Sequence, residues 1–317
     1  MTDPADQANR RAPLVGIVGP TASGKSDLAM ALAERLPIEI LVADSRQVYR
    51  GMDIGTAKPD AAARAAVPHH LVDLVSPDDS FTVAQWVERA RSLLPEIADR
   101  ARLAAIVGGT GLYVSALIDG HDYASQPWSP ELRARLREEL AADGLEPLAR
   151  RLAAGDPTTA ERIDLRNPRR VLRALERAAV GGGGAAPSSE PYRGRIALLG
   201  ISRPREVLYR RIDERARRLF ADGLLEEVRA LLDAGCGPDL RPMSGHGYRE
   251  AAHHLAGEWS LEQAVEVTAR RTRQYAKRQL TWFRRDSRIM WLPAGDAPAD
   301  DAELVAGADG ILRAALS

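Results

Sequence analysis

The stretch Gly19-Pro20-Thr21-Ala22-Ser23-Gly24-Lys25-Ser26 satisfies G-x-x-x-x-G-K-[ST] at every fixed position. Glycines in such a loop let several backbone N–H groups converge on one anion, and the helix that follows adds the positive end of its dipole. Lys25 has the reach to neutralise an outer phosphate, and Ser26 has the oxygen to ligate Mg²⁺. The surroundings fit a strand–loop–helix unit. The apolar run Leu14–Val18 precedes the loop, and Leu28, Ala29, Leu32 and Leu36 recur after it at helical spacing. The loop specifies a phosphate and not its owner: ATP, GTP or any diphosphate satisfies the same chemistry.

Further short apolar runs cover residues 38–43, 103–107, 196–201 and 288–292; the first ends at Asp44 and the second at Gly108-Gly109. Helical patterns lie between them, and Thr82-x-x-Gln85 and Ser260-x-x-Gln263 read as capping boxes that open two of those helices. Apolar strands alternating with helices imply a parallel sheet covered on both faces. The fold class expected is therefore α/β, a P-loop NTPase-like core with a parallel sheet flanked by helices. The alternation lapses after about residue 120. There Ser129-Pro130 opens a charged helical stretch with Leu132, Leu136 and Leu140 at four-residue steps. No strand candidate follows, and the stretch ends in glycine-rich residues 181–189. Residues 120–194 are expected as an all-helical insertion domain, 13–119 and 195–293 as the core, and 1–12 and 294–317 as terminal extensions.

The 317 residues are 45% hydrophobic and 28% charged, which suits a packed core with a polar surface. No apolar run approaches the ~20 residues of a membrane span. The polar first dozen residues lack a signal-peptide core, and the lone Cys236 excludes an internal disulfide or a cysteine-based metal cluster. A cytoplasmic protein without membrane contact is expected. Lys+Arg and Asp+Glu balance at 44 each, which excludes a uniformly basic surface and leaves room for local basic patches. Arginines cluster at 162–177, 203–218 and 270–288; taken alone, such clusters fit solvated helix faces. His69-His70 and His253-His254 lack a third ligand at metal spacing, so no metal is assigned to them. Trp86, Trp259, Trp282 and Trp291 read as core residues.

A kinase or ATPase adds an acid at a strand end to hold Mg²⁺. Asp44 is the obvious candidate, and it serves equally as an acid facing an acceptor substrate or as a structural residue. Thr110, after Gly108-Gly109, sits at the same carboxyl edge, where ligands of such sheets bind.

The residues around Asp44 narrow these alternatives. Asp44-Ser45-Arg46-Gln47-Val48-Tyr49-Arg50-Gly51-Met52-Asp53-Ile54-Gly55-Thr56-Ala57-Lys58-Pro59 closely resembles the signature of tRNA dimethylallyltransferases, and GPTASGKS resembles that family's form of the loop. Pro68–Asp73, Val107–Tyr113, Asn167–Glu176, Gly247–Glu250 and Tyr275–Phe283 resemble further blocks in the family's order, so the likeness runs from about residue 13 to 293. Asn167 stands where relatives often carry Asp, Arg46 where they often carry a smaller or neutral residue, and Ser244-Gly245-His246 where a more apolar approach is expected.

The resemblance implies transfer of a dimethylallyl group from dimethylallyl diphosphate to the exocyclic amine of the adenosine 3′ of the anticodon, in tRNAs reading codons that begin with U. By the same resemblance, Asp44 is the catalytic base and Thr110 a second catalytic residue. Gly19, Pro20, Thr21, Ala22, Ser23, Gly24, Lys25 and Ser26 hold the donor diphosphate with Arg211 and Arg215. Ser26 assists Mg²⁺. The tRNA anticodon stem-loop meets Asp44, Ser45, Arg46 and Gln47; Arg133; Arg169, Arg170, Val171, Leu172 and Arg173; Ser244, Gly245, His246, Gly247, Tyr248 and Arg249; and Lys277 and Arg278, with Gln279 beside them. A monomer is expected. The rival readings are a nucleoside or small-molecule kinase, a prenyltransferase acting on free adenine nucleotides, and a non-catalytic RNA-binding module.

Overall fold

A computed structural model of the chain describes residues 12–121, 129–179 and 190–316; the glycine-rich stretch 181–189 lies outside them. The apolar runs form strands β1 (Leu14–Val18), β2 (Ile38–Val42), β4 (Leu103–Gly108), β5 (Ile196–Ser202) and β6 (Ile289–Pro293), joined by a two-residue strand β3 (His69–His70). All pair in parallel, in the order β3-β2-β4-β1-β5-β6. Every residue of β1 and β2 is buried, which is why those strands read as continuous rather than alternating apolar runs. The exception in composition is Glu39 on β2. Arg100 grips its carboxylate at 2.9 and 2.7 Å and His70 meets it at 2.7 Å. The Arg100 hydrogen bonds, with His70, bring the Glu39 carboxyl down to about 2 against the opposing effect of burial.

The register decides where the functional loops emerge. Val18 aligns with Gly108 on one side and Gly200 on the other, and Val42 aligns with Val107. The phosphate loop, Asp44, Gly109 and Ser202-Arg203 therefore leave the sheet at one edge. Helices α1 (Lys25–Ala33), α2 (Ala61–Ala66), α3 (Val83–Asp99) and α4 (Gly111–Ile118) connect the early strands. After the insertion helices α5 (Pro130–Asp143), α6 (Leu145–Gly155), α7 (Pro157–Arg162) and α8 (Pro168–Ala179) come α9 (Arg205–Ala221), α10 (Leu224–Asp233), α11 (Tyr248–Leu255), α12 (Leu261–Phe283) and α13 (Pro298–Leu316). Thr82 and Ser260 close the expected capping boxes at the starts of α3 and α12. Residues 294–317, expected as a terminal extension, carry α13. Its Leu304, Ala308 and Leu312 lie in the same buried cluster as Ile17, Leu28 and Leu32.

The chain divides into two compact units, one of residues 12–118 with 192–316 and the other Asp119–Pro191. The second is helical throughout its named elements: α5 (Pro130–Asp143), α6 (Leu145–Gly155), α7 (Pro157–Arg162) and α8 (Pro168–Ala179). Its core gathers Leu136, Leu148, Leu152, Val171, Leu172 and Leu175. Ser129 caps α5 by accepting from the Leu132 N–H at 3.1 Å, with Pro130 in the first turn. Asn167 serves α8 in the same way, accepting from the Arg170 N–H at 3.3 Å, so the change from Asp keeps the cap. Among the described residues, no helix is long and apolar enough to cross a membrane.

Candidate active site

The phosphate loop is held open by geometry that its glycines allow and by side chains that arrive from far along the chain. Gly24, ahead of α1, takes the left-handed conformation at φ 94°. Gln279, buried on α12, accepts from the Thr21 N–H at 2.8 Å and donates to the Gly109 carbonyl at 2.9 Å, tying the loop to the end of β4. Gly109 permits that approach: a Cβ there would lie 2.1 Å from Gln279 Nε2. Arg203, buried after β5, donates from Nε to the Ser23 carbonyl and from Nη2 to Asp301, each at 2.8 Å, and from Nη1 to the Gly295 carbonyl. It fastens the back of the loop to the start of α13.

The cations face the other side of that loop. Lys25 Nζ donates to the Pro20 carbonyl at 2.6 Å. Burial, then the neighbouring Arg215, lowers the Lys25 pKa to about 8, with Asp44 and Asp27 pulling the opposite way. Arg211, Arg215 and Arg218 share one face of α9 at steps of four and three. Arg211 touches the Ala22 carbonyl at 3.3 Å and Asp296 at 3.5 Å, and Arg215 reaches the Thr56 carbonyl at 3.5 Å. Burial pulls the Arg215 guanidinium below its ordinary value, and Asp44 opposes that.

Asp44 stands across from them at the end of β2. Its Oδ1 accepts from the Arg46 N–H at 2.8 Å, which folds the chain away from the strand and fixes the carboxylate. Gly108 brings β4 flush against this turn; a Cβ there would meet the Ala43 carbonyl oxygen at 2.1 Å. The Thr110 hydroxyl accepts from the Ser45 N–H at 3.1 Å and is hydrogen-bonded to the Tyr275 hydroxyl. Burial, reinforced by Asp44, raises the Tyr275 phenol to about 12. A cleft of about 470 Å³ results, with Thr21, Lys25, Asp44, Arg211, Arg215 and Tyr275 among its walls, a volume that suits a small organic ligand.

Several residues expected at this site have other employment. Gln47 spends its amide on the Thr56 and Ala57 carbonyls at 3.1 and 3.3 Å, bracing the loop 56–59 that walls the cleft. Tyr248 is buried and donates its hydroxyl at 2.5 Å to Glu227, whose carboxylate also accepts from the Asp53, Ile54 and Gly55 N–H groups. Its ring is a strut and not an exposed stacking surface. Arg46 donates to Ser244 Oγ at 3.0 Å and to the Arg241 carbonyl, joining two segments expected to meet the same ligand. His246 lies against the Tyr275 ring with centroids 5.2 Å apart. Burial first, then Arg271, Arg278 and Arg46, lowers its pKa to about 4, so the imidazole is neutral at ordinary pH. Arg249, Lys277 and Arg278 are exposed.

In the helical unit, Arg169 and Arg170 are exposed, whereas Val171 and Leu172 are buried in its core, which removes their side chains from any ligand. Arg133 binds Glu176 through two hydrogen bonds of 2.6 and 2.5 Å, and Arg173 joins at 3.2 Å. The motifs alone do not point to Tyr275, Arg218, Arg203 or Glu227. Arg218 had a usable signal in its helical spacing from Arg211 and Arg215; the others are placed by tertiary contacts alone. The histidine pairs are spent singly, on Val67, Glu39, Glu258 and Trp259, and no group of three or more His, Cys, Asp or Glu side chains that could hold a metal ion occurs among the described residues. Trp282 is 41% exposed, against the expectation that it belongs to the core.

A family model described as IPP transferase matches residues 47–286, and one described as isopentenyl transferase matches residues 13–67. A tRNA dimethylallyltransferase from Geobacter metallireducens is 49% identical over 286 residues, covering 88% of this chain and 92% of its own. One from Pelotomaculum thermopropionicum is 43% identical and covers 96% and 99%. Among solved structures, a tRNA isopentenylpyrophosphate transferase from Bacillus halodurans superposes with a TM-score of 0.71 at 38% identity, over 96% of this chain and 98% of its own. A eukaryotic dimethylallyltransferase crystallised acting on tRNA shares the fold, with a TM-score of 0.75 at 22% identity over 95% of this chain and 78% of its own.

Proposed function

The chain belongs to the IPP transferase family, and from that membership we propose that it transfers the dimethylallyl group of dimethylallyl diphosphate to the N6 amine of a tRNA adenosine, releasing diphosphate. The acceptor is the adenosine immediately 3′ of the anticodon in tRNAs reading codons that begin with U. The observation that carries this reading is the single cleft. A phosphate loop backed by Lys25, Arg211 and Arg215 forms one wall, and the Asp44 carboxylate, held by the Arg46 N–H, forms another.

In the reaction the bond between the allylic carbon and diphosphate breaks while a bond from N6 to that carbon forms. Lys25, Arg211, Arg215 and the backbone N–H groups at the α1 terminus stabilise the negative charge that collects on the departing diphosphate. The N6 lone pair is delocalised into the adenine ring, so the amine is a weak nucleophile. Asp44 accepts its proton as the new bond forms and orients it before. Thr110 acts one step back, through its hydrogen bonds to Ser45 N–H and Tyr275, by keeping the Asp44 turn and the phenol in place.

The oxygen set at the start of α1 fits Mg²⁺. The Ser26 hydroxyl and the Asp27 carboxylate both line the cleft, and Mg²⁺ takes few protein oxygens when a diphosphate supplies the rest. When bound, it neutralises charge on the leaving group. The tRNA loop is received by Arg46, by Ser244 and Arg249 and by Lys277 and Arg278, with the acceptor base turned out of its stack; the exposed Arg169 and Arg170 are the helical unit's own candidates for phosphate contacts. The proposed working form is a monomer.

The test is positional. Unmodified tRNAs are incubated with dimethylallyl diphosphate and Mg²⁺, digested, and their nucleosides separated. Prenylated adenosine is expected from tRNAs that read U-initial codons and carry adenosine 3′ of the anticodon. It should vanish when that adenosine is replaced by guanosine. Prenylation of free adenine nucleotides in place of tRNA would overturn the reading.

A further inference from the structure

Arg203 is a buried charge that the reaction described above does not use. Its side chain is 1% exposed, behind the phosphate loop. All three guanidinium nitrogens are committed. Nε donates to the Ser23 carbonyl and Nη2 to Asp301 Oδ1, each at 2.8 Å, and Nη1 donates to the Gly295 carbonyl. The group also abuts Gly24, where a Cβ would fall 3.1 Å from Nη2. A buried cation needs partners of this kind. Two of them belong to the segment around the start of α13, and the third lies inside the phosphate loop.

That third bond orients a peptide. The Ser23–Gly24 link is trans, so the Ser23 carbonyl and the Gly24 N–H point in opposite directions. With the carbonyl drawn back onto Arg203, the N–H is turned away from it, to the side where Gly24, Lys25 and Ser26 line the cleft. The Gly24 N–H has no acceptor among the described residues. The N–H groups of Lys25 and Ser26, in the first turn of α1, have no intrahelical partner either, so three successive donors are left for an anion. Glycine at position 24 also makes the peptide easy to rotate, because φ of either sign is open to it. A flipped peptide would aim the Ser23 carbonyl dipole at the diphosphate and repel it. We infer that Arg203 is a positioning residue for the donor: it holds the Ser23 carbonyl at the back of the loop and so keeps the Gly24 N–H on the diphosphate, while Asp301 and the Gly295 carbonyl hold Arg203. Residues beyond 286, where the match to the IPP transferase model ends, thereby take part in donor binding. This rests on the donor reading above and adds to it a residue that never touches the donor.

The test uses the full chain with Mg²⁺ and inorganic diphosphate as the probe. Arg203→Met should weaken diphosphate binding and raise the donor KM, each by about tenfold, in the range for a lost hydrogen bond to a charged group. RNA affinity should stay as in wild type. Labelling serine with carbonyl ¹³C and glycine with ¹⁵N reports the Ser23–Gly24 and Ser244–Gly245 peptides. Diphosphate should shift the Gly24 amide signal in wild type and leave it in place in Arg203→Met. Asp301→Asn, at a side chain 52% exposed, serves also if Arg203→Met fails to fold. Removing a carboxylate near a diphosphate site would tighten binding if charge alone mattered. The positioning role predicts the opposite sign, a weakening of about threefold that disappears in the Arg203→Met background. Unchanged diphosphate binding in Arg203→Met, unchanged or tighter binding in Asp301→Asn, or a Gly24 signal that shifts equally in wild type and Arg203→Met overturns the inference. A wild-type chain that neither binds diphosphate nor prenylates tRNA overturns the functional reading itself, a separate result.

Discussion

The cations of the cleft and those of the helical unit come from the same Arg-rich composition and sit on helices of similar pattern, yet their surroundings differ. In the cleft Lys25 and Arg215 have backbone carbonyls as partners and no carboxylate within 4 Å among the described residues, and Arg211 has Asp296 only at 3.5 Å. In the helical unit Arg133 and Arg173 converge on Glu176, whose side chain is 1% exposed. Burial tends to raise the Glu176 carboxyl, but the two guanidiniums outweigh it and hold the group below the usual carboxylate range. A half-buried cation left without an anion is costly unless a ligand supplies one, so phosphate would complete this cleft. Arg133 and Arg173 already share one carboxylate and position a helix. Charge count alone does not separate these roles; the distance to the nearest carboxylate does.

The largest expected effect breaks the cleft without touching its cations. Asp44→Asn should lower kcat by about 10²–10⁴, the range for a general base, while RNA and donor affinities stay within about threefold. Rapid-quench turnover alongside equilibrium binding measures both, and surviving turnover would remove Asp44 from its role. Next comes the architectural pair. Glu176→Gln should cost about 2–3 kcal/mol by stranding Arg133 and Arg173 on an uncharged partner. Denaturant unfolding reads that loss, and the donor KM should not move. Were the donor KM to change instead, the separation of roles argued from ion pairing would fail.

A smaller effect follows from Arg218, exposed at the mouth of the cleft. Arg218→Ala should raise the donor KM by about threefold, as for a solvated charge, and 0.5 M salt should erase the difference. The smallest effect is a proton. With Lys25 at about 8 in the empty cleft, bound diphosphate returns its pKa toward 10.5. Between those values the empty site has lost the proton and the filled site keeps it, so binding takes up a proton and donor affinity falls as pH rises through 8. Calorimetry at pH 9 in two buffers of different ionisation enthalpy reads the uptake, and Lys25→Met should abolish it.

The sheet was legible because fully buried parallel strands leave unbroken apolar runs, and β1, β2, β4, β5 and β6 all do. The strand β3 was not, since two histidines carry no period. The helix α13 shows its Leu304, Ala308 and Leu312 spacing plainly, yet the family likeness stops near residue 293 and drew the boundary there. Within the site, the loop and Asp44 stand at strand ends and could be placed from topology. Gln279 and Arg203 reach the loop, and Tyr275 reaches Thr110, from far along the chain, and only packing brings them there. Tyr248 illustrates the reverse error. Its motif marks it as facing a ligand, but Glu227, invisible as a partner in the sequence, takes its hydroxyl inward.

What the cleft cations hold can be measured directly by following both products at once. The chain is given dimethylallyl diphosphate labelled in the prenyl group, γ-labelled ATP, Mg²⁺ and unmodified tRNA. We expect prenyl label in tRNA with one diphosphate released for each group transferred, and no phosphate label moved. Phosphoryl transfer from ATP without prenylation of tRNA would contradict the assignment of this phosphate loop to a leaving diphosphate.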